Sequence, residues 1–280
     1  MASKKKKNIE SNNSSETSPL EATGYNGNWE RSSKKLIDLN CDMGEGIGNE
    51  EFLMPYISSA NIACGYHAGD ESEMKRVVAL CINYDVAIGA HPSFPGKENF
   101  GRTKMNLSNE EVYELVKKQI EILNTIAVAA GAKLHHVKPH GALYNMAAKD
   151  AALAYAIATA LKDIDPHLIF YGLSGSAMID EANKIGLQTA CEVFADRTYQ
   201  PDGSLTARSQ ANALITDAAM AIQQVLMMIN EKKVTATNGA IISIQPDTVC
   251  LHGDGKHAIL FAKELNNSLQ KARIGIKNIM

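Results

Sequence analysis

The 280-residue chain has no run of about eighteen apolar residues, the length that a membrane-spanning helix requires. Its early lysines, Lys4 to Lys7, are followed by polar residues rather than an apolar segment, so this end reads as neither a signal peptide nor an anchor, and no membrane partner is expected. The five cysteines, Cys41, Cys64, Cys81, Cys191 and Cys250, are odd in number and form no CxxC pair. That argues against a disulfide framework and a structural zinc cluster, and the expected compartment is the cytoplasm, with the thiols reduced. No G-x-G-x-x-G follows the first strand-like run, no G-x-S-x-G surrounds Gly175, and "LHGDGKHA" lacks the upstream glycine of a P-loop. These absences count against a dinucleotide-binding sheet, a serine hydrolase and a P-loop nucleotidase. Charge excludes another class: residues up to Lys35 carry a net +3, so the rest of a chain with a total of −3 carries −6. An acidic body does not fit a nucleic-acid partner.

What is present is an ordinary globular composition, 45% hydrophobic and 21% charged, enough for one large α/β domain. Residues 1–34 read as a polar, disordered tail, and 35–280 as a single catalytic domain. Strand-like runs fall at 35–40, 59–64, 86–91, 132–139, 167–173, 187–196 and 248–254, with an extra one at 239–244. Helical patterns lie between them at 70–84, 108–130, 147–163, 175–185, 209–231 and 256–272. Repeated βα units force parallel pairing with helices outside, in a barrel or an open doubly wound sheet.

Strand parity locates a pocket. Side chains two apart share a face, and in a parallel barrel one face points into the lumen. Asp38, Asn40 and Asp42 share a face in the first run, His136, Lys138 and His140 in the fourth, Glu192 and Asp196 in the sixth, His252 and Asp254 in the seventh. Charges on strands otherwise built for burial are costly unless paired, hydrated or used, and these crowd towards strand C-terminal ends, where (βα) barrels keep their chemistry. The stretch "HVKPHGALYN" shows the handover: Pro139 and Gly141 stop strand pairing and leave Lys138 and His140 at the barrel mouth.

Each candidate has a plainer alternative. His67 in "NIACGYHAGD" and His91 in "GAHPSFPG" both follow strands into Gly- or Pro-containing loops, and the repetition favours site roles over ordinary loop histidines. Asp70 reads as a helix N-cap, and Cys64 as a small buried hydrophobe rather than a nucleophile. In "EVFADRTYQPDGSLTAR", Arg197 and Arg208 offer planar forks for a substrate carboxylate or phosphate, with pairing to Asp196 and Asp202 as the alternative.

"DLNCDMGEG", "NIACGYHAGD", "GAHPSFPG" with "FGR", "VKPHGALYN", "EVFADRTYQPDGSLTAR" and "VCLHGD" occur in the order found in the LamB/YcsF family, which the chain resembles from about Leu36 onwards. The last motif departs from that family's usual "HGDTPGA", reading "HGDGKHA". The resemblance implies a seven-stranded parallel (βα) barrel of the glycoside hydrolase/deacetylase type. It also implies the role of the A component of an ATP-dependent 5-oxoprolinase, which opens the lactam 5-oxo-L-proline to L-glutamate together with subunits B and C, with ATP and Mg2+ at the level of the complex. The carry-over falls on Asp42, Glu45, His67, Asp70, His91, Lys138, His140, Glu192, Asp196, Arg197, Arg208, His252 and Asp254. Of these Asp42, Glu45, His67, Lys138, His140, Glu192 and His252 are expected to be catalytic, and His91, Arg197, Arg208 and Asp254, together with Asn40 from the strand parity, to bind substrate. In this scheme Asp42 or Glu192 activates water, His67, His140 and His252 move protons, Lys138 stabilises negative charge, and Arg197 or Arg208 grips the substrate carboxylate.

Two other readings stay open. Asp42 with His67, His91 or His252 would serve a stand-alone metal-dependent amidohydrolase or deacetylase, although no HxH or HxxxH spacing focuses such ligands. A non-catalytic subunit that only binds the lactam is the second.

Overall fold

A computed structural model describes residues 35–253 and 257–280. The expected tail at 1–34 and the candidate Asp254 therefore lie outside the described residues. Seven parallel strands close into a barrel: β1 (Leu36–Met43), β2 (Ser59–Ala63), β3 (Ala87–His91), β4 (His136–Val137), β5 (Ile169–Leu173), β6 (Thr189–Phe194) and, after an excursion, β9 (Thr248–Leu251). Closure comes from β9 pairing with both β6 and β1, Thr248 standing opposite Glu192 on one side and Asp38 on the other. The excursion is an antiparallel hairpin, β7 (Lys233–Thr235) with β8 (Ile241–Ser243), so the extra strand expected at 239–244 forms outside the barrel. A final strand, β10 (Gly275–Ile276), extends the sheet beside the start of β1.

Helices fill the gaps as α1 (Glu50–Leu53), α2 (Glu71–Tyr84), α3 (Asn109–Ala129), α4 (Gly141–Ala147), α5 (Ala151–Ile164), α6 (Ala177–Lys184), α7 (Ala218–Glu231) and α8 (Ala258–Lys271). Local chemistry sets their starts. Asp70 accepts the Glu73 N–H, which makes it the expected N-cap of α2, and Ser108 and Glu111 form a reciprocal capping box on α3. None is long and apolar enough to cross a membrane.

Two boundaries differ most from the sequence reading. The helix expected over 209–231 begins only at 218, after the Asp217 cap, because buried Arg197 donates to the carbonyls of Thr206 and Ala213 and holds the preceding segment as a loop. The strand expected over 132–139 has only two ladder residues. Yet His135, Lys138 and His140 donate their N–H groups to the carbonyls of Ile88, Ala90 and Pro92, so the chain tracks β3 as far as His140. α4, absent from the sequence reading, then starts at Gly141.

Parity divides the barrel wall. Leu39, Cys41 and Met43 of β1 face outward into the apolar layer beneath the helices, with Ile62, Val78, Ile120 and Leu143. Asp38, Asn40 and Asp42 face inward. At the middle of the lumen His136 lies flat on Tyr171, ring centroids 4.1 Å apart, and β3 makes room with Gly89, where a Cβ would fall 2.1 Å from His136 Nε2. Gly89→Ala is expected to lower stability by about 1–3 kcal/mol through overpacking. Urea unfolding measures this, and an unchanged midpoint would mean that the ring has room to move.

Candidate active site

Three polar layers stack from the barrel floor to its C-terminal mouth. At the floor Asp38 accepts hydrogen bonds from Ser58, Ser59, Tyr171 and Thr248, at 2.6 to 3.0 Å. Burial raises its carboxyl against the pull of those four hydroxyls. In the middle, Asn40 donates to Thr248 (2.7 Å) and accepts from Asn61 (2.8 Å), whose own carbonyl takes the His136 Nε2 proton (2.8 Å). Burial holds that imidazole well below its ordinary pKa, and therefore neutral.

The third layer is ionic. Lys138 Nζ, fully buried, stands 2.9 Å from Asp42 Oδ1, 2.9 Å from Glu192 Oε1, 3.1 Å from Cys250 Sγ and 3.3 Å from Asn40 Oδ1. Burial opposes its charge, but Asp42, Cys250 and Glu192 together hold the ammonium well above its usual range. Burial likewise pushes the Asp42 carboxyl up, and His91 and Lys138 outweigh it and bring the group well below the usual carboxylate range. The pair with Glu192 is a contact of charges rather than an aligned hydrogen bond: neither Glu192 oxygen, nor the buried Tyr144 hydroxyl, completes a hydrogen bond among the described residues. Phe194 walls this layer, its ring 5.4 Å from the ammonium.

At the rim, the loops after β1 and β2, the last residue of β3 and the end of the β4 segment bring Glu45, His67, His91 and His140 together. The His67 and His140 rings stack at 3.9 Å, and His91 meets both edge-on. Gly101, with φ +62°, permits the stack, since a Cβ there would sit 2.9 Å from the His67 Cβ. Burial lowers His67 to about 3, with His91 adding to the effect, and brings His140 well below the ordinary value through burial, His91 and His67. Opposite them, Arg208 donates to His252 Nε2 (2.9 Å), and His252 Nδ1 donates to Asp196 (2.9 Å).

Asp42, Glu45, His91, Lys138, His140, Arg208 and His252 all line one cavity of about 730 Å³ at the mouth. Glu192 and His67 stand behind this front row, and Asn40 is deeper still. Arg197 reaches the cavity wall, but two of its guanidinium nitrogens serve carbonyls, so its first role is to brace the loop. Cys64 is buried, its thiol pushed up to about 12 by desolvation, as suits a packing residue. A hollow of about 630 Å³ at the opposite end of the barrel, beside Ser58 and Asn266, contains no histidine. Residues that the sequence reading passed over include Asn61, Ser93, Tyr144, Tyr171 and Thr248. Asn61 carried a usable signal, a polar side chain in the middle of a buried strand in parity with Ser59.

The LamB/YcsF family pattern matches residues 37–280. The chain is 58% identical to the A component of the 5-oxoprolinase of Shouchella clausii over 246 residues, which is 86% of this chain and 97% of that one. It is 53% identical to the protein of the same name from Tolumonas auensis, again over 246 residues, with 86% and 98% covered. Among solved structures, the "Lactam Utilization Protein" of Thermus thermophilus superposes with a TM-score of 0.81 at 40% identity, covering 87% of this chain and all of that one.

Removing the central ammonium strands two buried carboxylates. Lys138→Met is expected to cost about 3–5 kcal/mol in denaturant unfolding, with part of the loss recovered when Glu192→Gln is added. The pH dependence has its own sign. His136 titrates below its unfolded value of about 6.5, so its contribution is complete above that pH and fades as pH falls beneath it, by up to about 1.4 kcal/mol per pH unit. His136→Gln should flatten the fall in stability between about pH 6.5 and 5.

Proposed function

The chain belongs to the LamB/YcsF family, and from that premise we propose that it is the A component of an ATP-dependent 5-oxoprolinase, opening 5-oxo-L-proline to L-glutamate. The observation that carries this reading is the identity to components of that name over nearly their whole length. Five of the six motifs line the cavity at the barrel mouth, and His67 of the remaining one stacks on His140 just behind it, which supports this reading. Such a component implies an assembly, and we assign subunits B and C as the partners, with ATP and Mg2+ used at the level of the complex. Five free thiols fit a reducing compartment, the cytoplasm.

The chemistry explains why ATP is needed. A five-membered lactam is a stable amide, and its oxygen is a poor place to develop charge. Phosphoryl transfer to that oxygen, assigned to the partner subunits, makes an imidate carbon that water attacks. The C–N bond then breaks with its electron pair going to nitrogen, which takes a proton. The acyl phosphate left behind gives carboxylate and phosphate with a second water.

The residues divide these tasks. Lys138, held cationic and fixed by four neighbours, stabilises the negative charge that grows on the substrate oxygens. Asp42, held ionised, orients the attacking water beside the imidazole cluster, with Glu45 and His140 on the same wall. Glu192 keeps Lys138 in place from behind. Arg208 grips the substrate carboxylate, and in turning to it releases His252 Nε2, an acceptor in that pair. With the ring oriented by Asp196, this nitrogen takes up the proton lost by the attacking water and passes it to the departing nitrogen.

Glutamate formation from 5-oxoproline and ATP-Mg tests the proposal, with this chain alone, its partners alone, and all three together. Turnover is expected only in the full mixture, lost with His140→Ala, and with KM raised at least about tenfold by Arg208→Ala, the scale of one charge-assisted contact. Ring opening by the chain alone, without ATP, would overturn the assignment.

A further inference from the structure

The rim cluster has a hydrogen-bond pattern that the ring-opening scheme does not require. Each of its three imidazoles places one nitrogen against a protein oxygen. His91 Nδ1 lies 2.7 Å from the Lys138 carbonyl, and His140 Nε2 3.0 Å from the Phe100 carbonyl. A carbonyl only accepts, so both nitrogens carry the proton. His67 Nδ1 lies 2.9 Å from Ser93 Oγ, whose own proton goes to the Phe94 carbonyl at 2.9 Å, so this nitrogen donates too. In each neutral ring the remaining nitrogen is then a bare lone pair.

Those three lone pairs face one another. His91 Nε2 and His140 Nδ1 are 2.9 Å apart, so with both rings neutral two acceptors face each other at hydrogen-bond distance, an arrangement that a shared cation would satisfy. His67 Nε2 meets Glu45 Oε1 at 3.2 Å, and the same oxygen is 3.6 Å from His140 Nδ1 and 4.0 Å from His91 Nε2. All four atoms lie within 4.8 Å of one another. A tetrahedral ion with bonds of about 2.0–2.1 Å spaces its ligands about 3.3–3.4 Å apart, inside the range these contacts span.

We propose that Glu45, His67, His91 and His140 form a binding site for one divalent transition-metal ion, of the zinc, cobalt, iron or manganese class. Imidazole with one carboxylate selects these ions over Mg2+ and Ca2+, which prefer all-oxygen shells. The outward N–H bonds to Lys138, Phe100 and Ser93 are the outer contacts that fix ligand tautomers around such ions. Asp42 Oδ2, 3.4 Å from His91 Nε2, faces the same space and would hold a bound water. A second convergence, Asp42, Cys250 and His252, does not match this pattern: the thiol lies 3.1 Å from the Lys138 ammonium, and both His252 nitrogens are engaged by Arg208 and Asp196. Binding of the ion stands apart from the lactam reading. Only its use, lowering the pKa of a water to about 7 for attack on the activated lactam, rests on that reading.

Metal content tests the site without any assay of turnover. The full chain, purified without chelator, is analysed by elemental mass spectrometry, then stripped and titrated with Co2+ while visible absorption is followed. One equivalent of metal, and a saturable one-to-one Co2+ spectrum, are expected. His91→Gln and His140→Gln, checked for folding by circular dichroism, should each weaken Co2+ binding by at least about tenfold, and His252→Gln should leave it unchanged. A wild-type chain that is metal-free as isolated and takes up neither Zn2+ nor Co2+ at millimolar concentration would overturn the proposal and assign the gap between the rings to shared protons. So would Co2+ binding that survives loss of both rings. Either result leaves ATP-dependent glutamate formation free to succeed or fail by itself.

Discussion

One ammonium organises the barrel. Lys138 Nζ is buried at the wall of the cavity and lies between Asp42 of β1 and Glu192 of β6, strands on different parts of the barrel. An unpaired charge at that depth is prohibitive, and even a paired one gains little net stability over an apolar filling. The arrangement is therefore not explained as a device for stability. It fixes a positive charge at the cavity wall, where its geometry no longer depends on solvent, and a preorganised charge of this kind stabilises a reacting oxygen without reorganising. Asn40, Asn61 and Thr248 below it, themselves held by Asp38 and His136, set the positions of the carboxylates it meets.

The same strands supply both the polar lumen and the apolar layer that stabilises the fold. β1 alternates Asp38, Asn40 and Asp42 inward with Leu39, Cys41 and Met43 outward, so a one-residue slip of register would exchange core and site together. The pairing of β1 with both β2 and β9 fixes that register from two sides. Precision in the pocket thus derives from burial outside it.

Much of this was legible in the sequence because period-two alternation is local. Parity alone put Asp38, Asn40 and Asp42 on one face, and the Pro139 and Gly141 interruption put Lys138 and His140 at a strand end. What parity cannot show is which residues from distant strands touch. Arg197 reads as a ligand for an anionic substrate, but two carbonyls supplied by a later loop occupy it, and no spacing discloses that. The histidines show the converse: His67, His91 and His140 have no ligand-like spacing, yet β2, β3 and β4 are consecutive neighbours in the barrel, so their ends deliver the three rings to one point.

The two poles of the cavity are chemically unlike, and Lys138 connects them. Through Asp42 it reaches the imidazole pole, where His91 lies 3.4 Å from the other carboxylate oxygen; through Cys250 it adjoins the segment that carries His252. Two carboxyl groups, Asp42 and Glu192, face the single ammonium in this layer, and Glu45 adds a third at the rim. Basic side chains offset these carboxylates for an anionic lactam: Arg102, Lys104 and Lys149 line the same cavity, Arg208 stands at its far pole, and a divalent ion among the imidazoles would place positive charge at the near one. The substrate's carboxylate and its reacting carbon would then be drawn to opposite ends of one cavity, an orientation that neither pole imposes alone.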